Sequence, residues 1–402
     1  MNSPRPLRVL TVGHSYVLAA NRAIVRQVAR DPRFEVTVGA PAVYHGDFRQ
    51  EVCEPETADS PLRIEPIPAR WTRRVHVFRY SGRVLRRLVR RDRFDAILGW
   101  EEPYVFAGAQ LARAAAAAGT PFGFCTFQNL PKRYPPPFSG LERATLKRAR
   151  RWVALAGGVF ENLTARGYPA ETGRVVTLAV ETDRFRPLPP EEKRAVREEL
   201  GLPEPLIVQL GRVHEDKGVR VLLAALEGLG ERPWGLLMLG NGPLDGEVLR
   251  WAADRGRADR VRVGAVRHDE VPRFLAAGDL LVAPSQTTPH WKEQFGRMLI
   301  EAFACGVPVI GSDSGEIPRV VGDAGRIVPE ADVPAWTQAI GELLDDSAAR
   351  ADLAERGLRR CERFSVVEVA ERWKDVFRDL AAAGTAGTAG PDGAAGTDGA
   401  AG

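Results

Sequence analysis

Short apolar runs alternate along the chain with longer segments whose apolar residues recur every three or four positions. Brief runs bounded by Gly, Pro and polar clusters predict buried strands, and the longer period predicts amphipathic helices between them. In the first half the strands fall at 7–12, 35–40, 96–99, 122–126, 152–156 and 175–177, with helices at 20–29 and 106–118. The second half repeats the pattern more clearly, with strands at 206–210, 236–239, 261–263, 280–283, 307–311 and 325–328. Helices at 219–229, 244–255, 271–276, 297–304 and 333–344 fill the gaps. Strand–helix alternation of this kind means parallel sheets with helical crossovers, so the class is α/β with two doubly wound arrays.

The two arrays meet at AVETDRFRPLPPEEK, where Pro187, Pro189 and Pro190 interrupt regular structure. This divides the 402 residues into an N-terminal domain, 1–183, and a C-terminal domain, 184–364. Two domains suit a chain of this length. An amphipathic segment at 365–380 is placed to fold back across both domains. Residues 381–402 use only Ala, Gly, Thr, Pro and Asp, which bury little apolar surface, and are expected to be disordered.

Composition changes this picture little: 44% hydrophobic and 27% charged residues are ordinary for a globular protein. No apolar run is long enough to cross a bilayer, and the N-terminus lacks the pattern of a secretory signal. Cys53, Cys125, Cys305 and Cys361 are scattered without metal-ligand spacing and fit reduced thiols, so a cytoplasmic location and no metal site are expected.

The net charge of +4 hides an uneven distribution, for residues 70–93 hold ten arginines against the single acid Asp92. Apolar residues from Trp71 to Val89 are interleaved with them. Such a basic amphipathic segment suits peripheral contact with anionic lipid at the inner face of a membrane. It equally suits a surface helix that packs its Val84–Leu88 side on the core and leaves its arginines in water. No nucleic-acid-binding motif accompanies the charge.

Candidate chemistry concentrates in the second half. In LIVQLGRVHEDKG a buried strand ends at Gly211, and Arg212 and Lys217 stand in the loop that follows. Ligands of open α/β sheets bind at such strand ends, and a guanidinium beside an ammonium suits a diphosphate. Gly240 and Gly242 of LMLGNGP permit a ligand to approach the backbone, or form a tight turn. In WKEQFGRMLIEAFACGVPVIGSDSGEIPRVV, Glu301 lies inside an apolar helix, where a carboxylate needs hydrogen-bond donors such as two ribose hydroxyls, or a charge partner. Glu293, eight residues upstream, is placed to meet a sugar hydroxyl, and free N–H groups near Phe295 and Gly296 attract an anion. The loop SDSGEIP either faces a ligand or caps the next helix through Ser312 or Ser314.

Taken in order, GRVHEDKG, GNGP, APS and EQFGRMLIEAFACGVPVIGSDSGEIP resemble the family-four retaining glycosyltransferases, densely over residues 180–345 and thinly before them. The resemblance implies a GT-B fold, two Rossmann-like domains facing a central cleft. It implies a nucleotide-diphosphate sugar as donor, no metal or other cofactor, and retention of configuration at the transferred sugar. It places Arg212 and Lys217 on the diphosphate, Glu301 on the ribose and Glu293 on the sugar. Gly211, Gly240, Phe295 and Gly296 would line the donor site, and the backbone near Ala265 and Val266 would meet the base.

The N-terminal half departs from the family pattern. Its first loop reads Gly13–His14–Ser15 in place of a glycine pair, and Gln128–Asn129 stands where many members carry a histidine. Gly13, His14, Ser15, Glu102, Gln128 and Asn129 are candidates for the acceptor or sugar side, with Glu101 beside them. A lone histidine in a strand-end loop is more often structural, and glutamine cannot act as a base. The acceptor is expected to be a sugar, lipid or small molecule bearing a hydroxyl. Two alternatives stand beside transfer: a nucleotide-sugar-binding protein without turnover, and a nucleotide-sugar epimerase.

Overall fold

A computed structural model describes residues 5–46 and 50–385. Among them, two all-parallel sheets carry the architecture. The first orders its seven strands as Arg63–Ile67, Phe34–Pro41, Leu7–Val12, Ala96–Gly99, Phe122–Thr126, Arg151–Ala154 and Gly173–Val175. The second orders six as Val261–Gly264, Gly235–Leu239, Leu206–Leu210, Leu280–Ala283, Val309–Ser312 and Gly325–Val328. Each sheet grows outward from its first strand and then reverses. The switch points therefore lie beside Leu7–Val12 in one domain and Leu206–Leu210 in the other. Crevices at such points are where open α/β sheets hold ligands, which places the loops at Gly13–Ser15 and Arg212–Lys217 at the two mouths of one cleft. This is the GT-B arrangement of two Rossmann-like domains.

Ala96–Gly99 and Leu280–Ala283 are fully buried and Leu7–Val12 is buried from Val9 onward, as suits strands covered by helices on both faces. One apolar cluster runs from the N-terminal sheet through Phe185, Phe295 and Phe364 to the inner face of the C-terminal sheet. A second, around Trp234, Trp251 and Trp336, fills the outer face of the C-terminal sheet.

Several elements differ from expectation for identifiable reasons. The prolines at 187–190 do more than break structure: Pro190 opens a helix, Pro190–Leu200, at the one turn where a missing N–H costs nothing. The helix Ser347–Cys361 has no counterpart in the pattern, because it buries only Leu353, Gly357 and Cys361 along a charged surface. Asp346 caps it by accepting from the Ala349 N–H. The segment 14–22 forms two short 3-10 turns, and the helix proper is Ala23–Ala29. In the arginine-rich stretch only Gly82–Arg91 is helical, burying Leu85, Leu88 and Val89 while Val84 stays exposed, and 69–80 forms a small hairpin instead. Residues 381–385 are not disordered; their alanines extend the last helix, Val366–Thr385. Residues 386–402 lie outside the described residues.

That last helix returns to the N-terminal domain. It packs on Ala23–Ala29, and Trp373, fully buried, meets the Trp100 ring at 5.3 Å between centroids. Lys374 pairs with Asp31 at 3.1 Å, and Asp379 with Arg151 and Arg174. The chain thus crosses between domains twice, and the crossings are paired by a parallel bridge between Val180 and Ser365. Trp373→Ala is expected to cost about 3–5 kcal/mol, seen as a lower urea midpoint. A loss below about 1 kcal/mol would show that the returning helix is no part of the N-terminal core.

Candidate active site

Gly211 and Gly240 end neighbouring strands at φ 134 and 153, a region closed to most side chains. A Cβ on Gly240 would sit 1.9 Å from the Gly211 carbonyl oxygen, and one on Gly218 would sit 1.8 Å from that of Pro284. These glycines let three loops stack backbone to backbone at the switch point. The close approach the sequence suggested for Gly240 is therefore made first to protein. From this platform Arg212 projects into solvent with no side-chain partner among the described residues, while Lys217 turns inward.

Lys217 Nζ lies 2.6 Å from Glu293 Oε2 and 4.8 Å from the centre of the Trp291 ring. Ser285 Oγ donates to the same carboxylate oxygen at 3.0 Å. Glu293 is buried, so these two partners are what make its charge tolerable there. Gly296, at φ 83, turns the chain into the helix Arg297–Ala304. Phe295 corrects an expectation, because its ring is buried against Phe364 and only its backbone is left to meet a ligand.

Within that helix Glu301 is buried, and its carboxylate accepts no hydrogen bond among the described residues. Arg297 Nε stands 3.5 Å away. Burial pushes the Glu301 carboxyl up to about 7, with Arg297 and Arg184 holding it back in part. It faces a cavity of about 180 Å³ shared between the domains, to which Ser15, Asn21 and Trp100 contribute from one side and Arg184, His268 and Arg297 from the other. His268 is pushed below its usual value by burial and then by the two arginines. Val266, two residues before His268, is half-buried against the core.

On the N-terminal side Gly13 packs so tightly on Trp100 that a Cβ would meet it at 2.7 Å. His14 is oriented twice by Glu101: its N–H donates to Oε1 at 2.7 Å, and Nδ1 lies 2.8 Å from Oε2. Tyr80 donates its hydroxyl to Glu101 at 2.8 Å. Burial lowers the His14 pKa, but the charge and hydrogen bond of Glu101 outweigh it, with help from Glu102, and the net shift is upward. His14 is therefore a carboxylate-oriented imidazole rather than an isolated loop histidine.

Three acceptor-side candidates are already committed to protein. Glu102 accepts from the Phe127 N–H, Thr126 and Gln128, and burial nevertheless raises it to about 7. Gln128 spends its amide on Glu102 and its oxygen on Arg166, at 3.1 and 2.6 Å. Asn129 is buried, and its amide donates across the cleft to the carbonyls of Lys292 and Glu293 at 3.2 and 3.1 Å. Both Gln128 polar atoms and the Asn129 amide nitrogen are thus engaged by protein groups. The loop 312–316 is likewise engaged, with Ser312 donating to the Ser285 carbonyl and Ser314 bonded to Thr287. Arg184, His268 and Trp291 carried no sequence signal, because nothing in their local pattern distinguishes them from surface residues. Among the described residues no group of three His, Cys, Asp or Glu is placed to hold a metal.

With this geometry established, family models match both halves: residues 22–184 match Glycosyltransferase Family 4, and 204–346 match Glycosyl transferases group 1. This is a GT-B protein built like a family 4 glycosyltransferase. Over 92% of its length it superposes on 99% of Anabaena HepE in complex with UDP-glucose, with a TM-score of 0.71 at 18% identity. Sucrose-phosphate synthase from Thermosynechococcus elongatus gives a TM-score of 0.69 at 19% identity, over 94% of this chain and all of that one. In sequence, this GT-B protein is similar to the GDP-mannose-dependent alpha-(1-6)-phosphatidylinositol monomannoside mannosyltransferase of Mycolicibacterium smegmatis. The two are 36% identical over 44% of this chain and 48% of that protein. It is also 35% identical to the D-inositol 3-phosphate glycosyltransferase of Xylanimonas cellulosilytica over 53% of each. The chain spans about half the length of the curated relatives it matches.

The Glu301 site generates a test in the unliganded GT-B protein. A carboxyl raised from 4.5 to about 7 binds its proton more tightly folded than unfolded, so stability falls as pH rises between those values. Glu301→Gln should remove that slope and be the more stable protein at pH ~8 by up to about 3 kcal/mol, with the advantage gone at pH ~4. Melting curves at both pH values check this. An equal gap between variant and parent at the two pH values would overturn the buried-acid assignment.

Proposed function

We propose that the protein transfers a sugar, with retained configuration, from a nucleotide-diphosphate sugar to a hydroxyl acceptor. The observation that carries the reading is the joint placement of Lys217, Glu293 and Glu301 along one face of the cleft, at the switch point of the C-terminal sheet. Arg212 and Lys217 would neutralise the diphosphate, and Lys217 is free to leave Glu293 once a sugar hydroxyl replaces it as the carboxylate's partner. Glu301, lacking hydrogen-bond donors, suits two vicinal ribose hydroxyls.

In the transfer step the bond from the anomeric carbon to the diphosphate oxygen breaks, and the acceptor oxygen bonds that carbon on the same face. The acceptor proton passes to the departing phosphate oxygen, whose charge Arg212 and Lys217 offset. No side-chain base is needed for this route. His14, oriented by Glu101 in the facing domain, would hydrogen-bond the acceptor. Names of relatives that act on phosphatidylinositol mannoside or inositol phosphate support a polyol acceptor, free or lipid-borne.

Lys217→Ala should lower kcat/KM at least about tenfold, some 1.4 kcal/mol of transition-state stabilisation. The assay offers a panel of nucleotide sugars and a cell-extract acceptor pool, and products are read by mass. Unchanged kinetics in the folded variant would sink the assignment. Tight nucleotide binding by the parent without transfer or hydrolysis would favour a binding protein.

The arginine-rich face supports peripheral contact with an anionic bilayer. Of its ten arginines only Arg91 makes an ion pair among the described residues. At the start of the hairpin loop Trp71, at φ 57, is 62% exposed, with the Arg79 guanidinium 5.4 Å from its ring centre. A bulky residue held in that backbone region with its indole outward suits the interfacial belt of a membrane. No helix among the described residues is long and apolar enough to cross one. Co-sedimentation with phosphatidylglycerol vesicles should be strong at low salt, decline with added salt and weaken in Trp71→Ala. Absence of binding at low salt would leave only a solvated basic face.

A further inference from the structure

The turn 314–316 touches Glu293 on one side and the N-terminal domain on the other. Ser314 Oγ accepts from the Glu293 N–H at 3.4 Å, and the Glu316 N–H donates to the Glu293 carbonyl at 3.2 Å. Gly315 lies so close that a Cβ there would sit 2.0 Å from the same carbonyl oxygen. This leaves the turn no slack relative to the Glu293 main chain.

The Glu316 side chain reaches across the cleft. Its two oxygens accept from the N–H groups of Gly157 and Gly158, at 2.8 and 2.9 Å, the first residues of the nine-residue helix Gly157–Ala165. Those N–H groups have no partner within their own helix, and the helix dipole adds attraction for the charge. Glu316 is only 7% exposed, so withdrawal of the cap would leave a carboxylate needing water. A Cβ on Gly158 would stand 3.0 Å from Glu316 Oε2, so the paired glycines provide the room for this contact. Arg319 adds a second link, donating to Glu161 at 2.6 Å. Asn129 reaches the Glu293 carbonyl from the same N-terminal domain, as described above.

We infer that Glu316 is a positioning residue for Glu293. By capping a helix of the opposite domain it makes cleft closure and correct placement of the Glu293 segment a single event. Opening the cleft breaks the cap, moves the turn and releases the 291–296 segment. A three-residue turn bonded at both ends is the kind of discrete element through which two sites couple. Among the described residues no hydrogen bond joins the turn to the loop that carries Arg212, so nucleotide binding should survive loss of the cap. The kinetic part of this inference rests on the proposed transfer reaction, whereas the structural part does not.

The test compares Glu316→Ala, Glu316→Gln and, from the other domain, Gly158→Val. Amide hydrogen exchange at 291–296 and steady-state transfer are measured on the full chain, with circular dichroism confirming the fold. Glu316→Ala should raise exchange at 291–296 and lower kcat, each by about tenfold or more, while donor KM and the Kd for the nucleoside diphosphate stay within about threefold. Glu316→Gln keeps one accepting oxygen and should fall between, and Gly158→Val should resemble Glu316→Ala. A merely structural role would lower the melting temperature and leave kcat per folded molecule unchanged. Parent-like exchange at 291–296 in Glu316→Ala overturns the coupling, and raised exchange with unchanged kcat overturns the positioning role. If the parent turns over no nucleotide sugar, the transfer reading fails and the exchange measurement still decides the coupling.

Discussion

A carboxylate taken out of water must be given partners, and the arrangement around Glu293 follows from that constraint. Its side chain is held by Lys217 from one strand-end loop and Ser285 from the next. Its main chain is held by Asn129 from the opposite domain and by the turn at Glu316. Four segments therefore meet on this one residue, two at its carboxylate and two at its main chain. The glycines at 218, 240 and 315 serve the same end, since side chains there would force apart the backbones that carry the partners.

Glu301 is the contrasting case on the same segment. It is as buried as Glu293 but has no hydrogen-bond donor, only the Arg297 guanidinium at 3.5 Å and the charge of Arg184, and burial raises it to about 7. Glu102 has a similar upward shift, yet three donors from its own domain fully occupy it. The comparison separates a buried acid with a structural task from one left without donors. An acid of the second kind, opening on a cavity between domains, keeps carboxylate oxygens free to accept from hydroxyl or N–H donors, which is what the proposed ribose contact requires.

The parallel sheets were legible because their strands are short, mostly apolar runs, and Leu7–Val12 and Leu206–Leu210 are each buried at four positions. Ser347–Cys361 was not, because a helix lying on the surface with three buried positions has almost no periodic signal. The burial of Glu301 was legible from chemistry that looks expensive in isolation, a glutamate inside an apolar helix. The protein partners of Gln128, Asn129 and Glu316 were not legible, for the opposite reason: their residue types suit a ligand, and only tertiary placement shows which protein groups they bond. His14 moved the other way, because the carboxylate that orients it lies 87 residues further along the chain.

The two glutamates stand at opposite ends of a mechanical arrangement. Glu301 shares its cavity with residues 178–185 and Val366, where the chain crosses between domains and Val180 pairs with Ser365. Glu293 lies by the contacts that Asn129 and Glu316 make across the cleft. One end is fixed by covalent crossings whatever the cleft does; the other closes only through hydrogen bonds that can be broken and remade. A ligand long enough to engage both glutamates would be gripped first at the fixed end and sensed last at the closable one. The short helix Arg297–Ala304 joins the two ends rigidly. Closure would then report the far end of the ligand, the part that lies against Glu293.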